Sequence, residues 1–221
     1  MTINTQQYTT KLIFFVSILL LVGCQTAYYK TMEKFGIHKR DLLVENVEDA
    51  RTAQEEAKEQ FKSALEQFSA VVNFEGGELK QKYDQLKTAL DQSESKAEAV
   101  TDRIKSVENV AEALFSEWEK ELEKYSNDNM RNISQRQLTD TQRQYTKLIE
   151  AMKRAEAKIE PVLTPFRDQV LFLKHNLNAQ AISSIQGELV SIETDVASLI
   201  KEIEVSIREA DSFIESMKTP E

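Results

Sequence analysis

From residue 43 onward, apolar residues recur at alternating steps of four and three, with mostly polar residues between them. This spacing places the apolar side chains along one stripe of an α-helix. Four such stripes follow one another. The first comprises Leu43, Val47, Ala50, Gln54, Ala57, Phe61, Ala64, Phe68 and Val71, with Gln54 as its one polar member; the second begins at Leu79, the third at Leu138 and the fourth at Ile182. The pattern predicts helices at about 41–74, 78–126, 129–176 and 178–218.

Helix-breaking residues separate the four stripes. The segment "NFEGGE" (73–78) contains the adjacent glycines, and "SNDN" (126–129) is a cluster of turn and cap formers. Pro161 and Pro165 fall inside the third stripe, where each removes a backbone donor. We expect a kink near 161–165, and the sequence leaves open whether it acts as a hinge.

Connections of a few residues force successive helices to run antiparallel. Each apolar stripe must also meet another one to leave water. No strand-like alternation occurs between residues 41 and 218. The predicted fold class is therefore all-α, an elongated antiparallel four-helix bundle or coiled coil over residues 41–218.

The N-terminal residues follow a different pattern. Residues 1–23 contain one charged side chain, Lys11, followed by the apolar run "LIFFVSILLLV". That run is shorter than the roughly 20 residues that span a bilayer, and it matches a secretory signal. Leu21-Val22-Gly23-Cys24 then resembles the lipobox of bacterial lipoproteins. The resemblance implies cleavage after Gly23 and attachment of lipid to Cys24; the alternative is an uncleaved anchor with an incidental cysteine.

The residue after the cysteine carries information about the membrane. In Gram-negative lipoproteins an aspartate there favours the inner membrane, whereas this chain has Gln25. The resemblance therefore implies an outer-membrane protein that faces the periplasm. Residues 24–40 would form a membrane-proximal segment whose aromatic residues either lie at the bilayer interface or cap the end of the bundle.

Charge and composition restrict the function. The chain carries a formal net charge of −9, which becomes −10 without residues 1–23 because these contain one lysine and no acidic residue. A net acidic surface is repelled by phosphate backbones, so nucleic acid is not an expected partner. No Gly-Lys pair for a phosphate loop and no Gly-x-Ser-x-Gly elbow occurs. Two distant histidines and one cysteine offer no zinc-site spacing. We therefore expect a non-enzymatic protein with no cofactor and no metal site.

One segment departs from the bundle pattern, "PFRDQVLFLKHNLNAQAI" (165–182). Its four consecutive apolar residues, 170–173, wrap most of the way round a helix and need neighbours on several sides. One interpretation is a buried helix end with a capped hairpin. The other is a docking tip in which Phe172 is the anchor and His175 and Asn176 are polar specificity groups.

The lipobox, the segment "YYKTMEKFGIHKRDLLVENVEDARTAQEEAKEQF" and this tip together resemble a family of uncharacterised Gram-negative lipoproteins with a helical domain of unknown function. The resemblance implies an envelope location and no activity. We expect a lipid-anchored scaffold or adaptor that binds the membrane through its lipid and an unidentified envelope protein through its bundle. The alternative is a membrane-shaping or lipid-binding module. The sequence leaves the oligomeric state open, a homo-oligomer included.

Overall fold

The structure is a computed structural model that describes residues 38–74 and 78–218. These residues form six helices: α1 Lys39–Val72, α2 Leu79–Leu122, α3 Asp128–Ala157, α4 Ile159–His175, α5 Ala179–Gln186 and α6 Leu189–Lys218. No strand occurs within those two ranges. The predicted all-α class is therefore confirmed for the part of the chain that is described.

The chain divides into two compact units, Met1–Leu42 and Leu43–Glu221. In the first unit, residues 38–42 are described and start α1, where the backbone N–H groups of Asp41 and Leu42 donate to the carbonyl of His38. All packing below concerns the second unit. The signal peptide, the predicted lipid site at Cys24 and nearly all of the membrane-proximal segment lie outside the described residues.

The third predicted helix is in fact two helices, and the break is not at 161–165. Helix α3 ends at Ala157, Lys158 forms a turn, and α4 begins at Ile159. In a continuous helix the Ala157 carbonyl would accept the N–H of residue 161, and Pro161 has none. The proline therefore ends the preceding helix. It occupies the first turn of α4, where N–H groups have no helical partner in any case.

The fourth predicted helix is also divided. Helix α5 ends at Gln186, and Gly187 and Glu188 form a turn before α6 begins at Leu189. The Gly187 backbone keeps right-handed helical angles, φ −64° and ψ −23°. The prediction of a single helix from 178 to 218 missed this break. Glycine is a weak helix former, and it marks the junction.

Cross-helix ion pairs define how the helices run. Between α1 and α2, Glu56 pairs with Lys96 at 2.7 Å and Asp49 with Arg103 at 2.8 Å, so the two helices are antiparallel. Helices α1 and α6 are antiparallel as well, because Arg51 pairs with Asp211 at 2.6 Å and Glu48 with Lys218 at 2.8 Å. Helix α2 also runs antiparallel to α3 and α4, through the pairs Glu108–Lys153 (2.9 Å) and Glu94–Arg167 (2.5 Å). Helix α6 contacts both α3 and α4. The second unit is a helical bundle.

The core is built largely from the predicted stripes, and Phe213 joins it from beside the fourth stripe. Its largest fully buried side chains, all less than 2% exposed, are Phe61, Phe68, Phe166, Phe213, Leu43, Leu86, Ile104, Leu138, Leu148, Met152, Leu173 and Ile185. Phe68 of α1 meets Phe166 of α4 edge to face, with ring centroids 5.6 Å apart. Burial of aromatic side chains dominates core energetics, and this geometry adds about 1 kcal/mol.

A second contact cluster joins α2 and α3 near their connection. The rings of Phe115 and Tyr145 meet edge to face at 5.4 Å. Trp118 Nε1 donates to the Ser134 hydroxyl at 2.8 Å. Burial, with Glu108 and Glu112 nearby, raises the pKa of Tyr145 to about 12. The tryptophan is half-buried, rather than part of the buried core.

Candidate functional site

The predicted docking tip lies where α4 ends. Helix α4 turns Val170 and Leu173 inward, at 7% and 0% exposure, so the two residues between them face out. Leu171 is 62% exposed and Phe172 is 41% exposed. A helix cannot bury four consecutive side chains against one neighbour, because they span almost a full turn. We call residues 171–178, the last turn of α4 and the connection to α5, the α4 tip.

The polar residues of the α4 tip hold its backbone. Asn176 closes α4, because its Nδ2 donates to the Phe172 carbonyl at 2.9 Å and its backbone N–H donates to Leu173 at 3.1 Å. Asn178 opens α5, since its Oδ1 accepts from the Ala181 N–H at 3.0 Å. His175 is exposed and makes no side-chain hydrogen bond or ion pair with the described residues. The geometry thus joins the two interpretations: the connection is capped, and an apolar surface remains open beside it.

The structure also shows exposed apolar residues that the sequence interpretation missed. Val190, at the start of α6, is 69% exposed. At the α2–α3 connection, Tyr125, Met130 and Ile133 are 40%, 58% and 41% exposed. Met130 and Ile133 are three residues apart on α3, a spacing that places them on one helix face. That spacing is visible in the sequence, just before the third apolar stripe begins at Leu138.

The two exposed apolar regions lie at opposite ends of α2. The α4 tip follows Arg167, which pairs with Glu94 in the first half of α2. Tyr125 and Met130 lie beyond the last residue of α2, Leu122. Asn127 caps α3 there by accepting from the N–H groups of Asn129 and Met130 at 2.9 and 3.1 Å. Both regions therefore sit on fixed helix ends rather than on long loops.

A groove of about 360 Å³ lies between α2 and the α3–α4 junction. It is lined by Glu94, Ala97, Glu98, Thr101, Glu156, Ile159, Glu160, Leu163 and Arg167. Arg167 donates to Glu94 and to Glu160, both at 2.5 Å. These bonds raise the pKa of the guanidinium and, with help from Thr164, lower the pKa of the Glu160 carboxyl. The arginine is thus fully engaged as an ion-pair bridge between α2 and α4.

The described residues provide no grouping suited to metal chemistry. Within 38–74 and 78–218, no cluster of three or more His, Cys, Asp and Glu side chains could hold a metal ion. No helix in those ranges is long and apolar enough to cross a membrane. Among the exposed apolar regions described above, the α4 tip is the one that the sequence pattern also indicated.

Comparison with known proteins assigns the chain to a family. No curated protein matches the sequence. A family model does match over residues 28–217, which is most of the chain and covers every helix up to the last turn of α6. The chain therefore belongs to the family described as "Protein of unknown function (DUF2959)".

Proposed function

We propose that this chain is a lipid-anchored periplasmic protein of the Gram-negative envelope that acts as a non-enzymatic scaffold or adaptor. Residues 1–23 form a cleaved lipoprotein signal peptide, and Cys24 carries the lipid that holds the protein at the outer membrane. From there an elongated antiparallel four-helix bundle presents the α4 tip to another envelope protein.

The exposed apolar surface of the α4 tip carries this proposal. Leu171 and Phe172 expose 62% and 41% of their area on a helix whose opposite side is fully buried. An exposed aromatic flanked by polar groups is the usual composition of an interface anchor. Because Asn176 and Asn178 cap the backbone around it, the anchor is preorganised and binding costs little ordering entropy.

The arrangement of the helices supports the four-row bundle. In the proposed bundle, α1 and α2 form two rows, α3 followed by α4 forms the third, and α5 followed by α6 the fourth. The ion pairs Glu56–Lys96, Glu108–Lys153 and Arg51–Asp211 join neighbouring rows in antiparallel directions. The α2 helix alone has 44 residues, about 66 Å at 1.5 Å per residue. A surface beside the start of such a helix, such as the α4 tip, is therefore well separated from residues at the end of the helix.

The lipid anchor is supported by the sequence Leu21-Val22-Gly23-Cys24. The family match starts at residue 28, so the family region lies wholly downstream of the proposed lipid site. Two or more acyl chains on one cysteine hold a protein stably on a bilayer, whereas a single chain holds it only weakly.

Crosslinking in cells tests the function. Cells that carry the full-length chain are treated with an amine-reactive crosslinker, and crosslinked partners are identified by mass spectrometry. Phe172→Glu places a charge on the proposed anchor and should reduce recovery of the partner about tenfold or more, as expected for an interface hot spot. Met130→Glu, at the opposite end of α2, is the matched control and should leave recovery unchanged.

A partner that depends equally on both exposed regions, or on neither, would exclude the α4 tip as the docking surface. Circular dichroism of both variants verifies that they fold. Both positions are exposed, so their helix content should equal that of the unmodified chain.

A further inference from the structure

The exposed face of α4 carries a short pattern of charged and apolar side chains. Asp168, Leu171, Phe172 and His175 lie at positions i, i+3, i+4 and i+7, which places them on one side of the helix. All four are exposed. Asp168 and His175 make no side-chain hydrogen bond or ion pair with the described residues. The order along the helix is acid, apolar, apolar, base.

This order is complementary to itself when the α4 helices of two copies pack antiparallel. A two-fold axis between Leu171 and Phe172 would place each apolar residue opposite the other and Asp168 of each copy opposite His175 of its mate. The two residues are seven positions apart, about 10 Å along the helix, so both pairs would flank the apolar centre. An imidazole N–H donates to a carboxylate in either of its protonation states, and it adds a positive charge when protonated. A two-fold interface requires this kind of self-complementarity.

We propose that the α4 stripe, residues 168, 171, 172 and 175, is a docking surface for a second copy of this chain. The inference goes beyond the proposed function, because a second copy would occupy the same α4 tip that the adaptor proposal gives to another envelope protein. Two copies would pair their α4 helices antiparallel, with apolar contacts at the centre and Asp168–His175 contacts at both ends.

The distribution of charge near the α4 tip is compatible with a second copy at this place. The chain carries 37 acidic and 28 basic residues, so most surfaces of two copies repel each other. Between Asp168 and Glu188, however, 19 consecutive residues contain no acid and include Lys174 and His175. Repulsion between two copies is therefore low where the apolar side chains of the α4 tip are exposed. The pattern also pairs each acid with a base rather than with another acid.

The size of the stripe sets the expected strength. Four side chains on two turns of helix form a patch well below the roughly 800 Å² per partner of stable interfaces. Association of free chains should be weak.

Charge exchange between two copies tests the pairing. Two full-length chains with different C-terminal peptide tags are produced in the same cells and purified in mild detergent through one tag, and recovery of the other tag is measured. Asp168→Lys alone sets a lysine against His175 twice, and His175→Glu alone sets two acids together twice. Each variant should recover itself about tenfold less than the unmodified chain, given the modest strength of exposed charge pairs.

Mixing the two variants is the decisive measurement. An Asp168→Lys chain paired with a His175→Glu chain has a Lys–Glu contact at one end and an Asp–His contact at the other. Co-production of the two should restore recovery to the unmodified level, which also proves that both variants fold. Asp102→Lys and Lys105→Glu, exposed on α2, are matched charge controls and should change nothing.

Three results would overturn the self-pairing. They are an unmodified chain that never recovers its tagged copy, single variants that recover themselves normally, and a mixed pair that fails to regain recovery. In each case the crosslinking partner that depends on Phe172 can still be present, so the proposed adaptor function would survive. Loss of the Phe172-dependent partner with intact charge exchange would instead mean that the α4 tip serves self-association alone.

Discussion

The hydroxyl of Ser206 donates a hydrogen bond of 2.8 Å to Oε1 of Gln54, and both residues are fully buried between α6 and α1. Gln54 is the one polar member of the first apolar stripe. Its Nε2 finds no hydrogen-bond partner among the described residues. A buried amide nitrogen without a partner costs about 1–3 kcal/mol. The pair therefore joins the two helices while weakening the core around it.

Replacing both members of this pair should stabilise the protein. Gln54→Met keeps the side-chain volume and removes the unpaired amide, and Ser206→Ala removes the hydroxyl that would lose its acceptor. We expect the double variant to gain about 1 kcal/mol in the free energy of unfolding. Ser206→Ala alone should lose about 1–3 kcal/mol, because both amide atoms of Gln54 are then unpaired. Urea unfolding followed by circular dichroism measures all variants, and a destabilised double variant would show that the pair is net stabilising.

Two phenylalanines on α4 should lose very different amounts of stability on truncation. Phe166 is 1% exposed and packs against Phe68, so Phe166→Ala should cost about 3–5 kcal/mol of stability. Phe172 is 41% exposed, and Phe172→Ala should cost less than about 1 kcal/mol. Urea unfolding of the two variants provides the comparison. Equal losses would contradict the inward and outward assignment of the α4 faces.

The Arg167 bridge predicts a pH-dependent contribution. Its hydrogen bond lowers the folded-state pKa of the Glu160 carboxyl, so the contribution exists above the unfolded value of about 4.3 and is lost as pH falls through the folded-state pKa. Both side chains are partly exposed, which limits the effect to about 1 kcal/mol at pH 7. Arg167→Met should show that deficit at pH 7 in thermal unfolding and approach the unmodified chain below about pH 4.

Arg143→Met is the control for this measurement. Arg143 pairs with Asp140 three residues away on the same helix, and both side chains are exposed. The variant should lose only about 0.3–0.5 kcal/mol. A pH-independent deficit in Arg167→Met would mean that the arginine contributes through packing of its aliphatic stem instead.

The α5–α6 junction can be strengthened by one methyl group. Gly187 has right-handed helical angles, and a Cβ added there would meet nothing within 4 Å. Gly187→Ala should stabilise the protein by about 0.4–1 kcal/mol, because it lowers the entropy of the unfolded chain without strain. Thermal unfolding measures the gain. A loss of stability would indicate that the junction must adopt another backbone conformation.

The lipid anchor predicts a change in location. Cys24→Ala removes the thiol that would carry the lipid, so the chain should leave the outer-membrane fraction, either as soluble periplasmic protein or as uncleaved precursor. Fractionation followed by immunoblotting distinguishes these forms by mass. Unchanged outer-membrane fractionation would refute lipidation at this residue. Cys24→Ser provides a second variant with nearly the same volume.

The sequence alone predicted most core positions, because each one depends on its own residue type and its spacing from the next. Phe61, Phe68 and Trp118 fall on the apolar stripes and are predicted as core; the two phenylalanines are fully buried, whereas the tryptophan is only half-buried. Gln54, the polar exception in the first stripe, is buried with them. Helix existence thus followed from local pattern.

Helix ends were less predictable, since they depend on partners elsewhere along the chain. Pro161 acts on the carbonyl of Ala157, four residues earlier, so the break falls before the proline rather than at it. Gly187 permits a helix and a turn alike, and spacing alone gave no reason to choose between them.

The candidate site, too, could be predicted only in part from the sequence. The run 170–173 revealed that some apolar surface must stay open on α4, because no helix can bury a full turn on one neighbour. Which two of the four residues face outward depends on where α2 and α6 lie, and that required the structure. The role of Asn176 as a cap likewise depends on the position of the Phe172 carbonyl.

The bond between Trp118 and Ser134 turns the chain's single tryptophan into a local optical reporter. Its fluorescence reports on the surroundings of the α2–α3 connection, whereas the helical dichroism signal averages over the whole chain. Unfolding curves that coincide in the two signals would show that the bundle melts as one cooperative unit. A fluorescence change that comes first would show that this end frays while the α4 end stays intact.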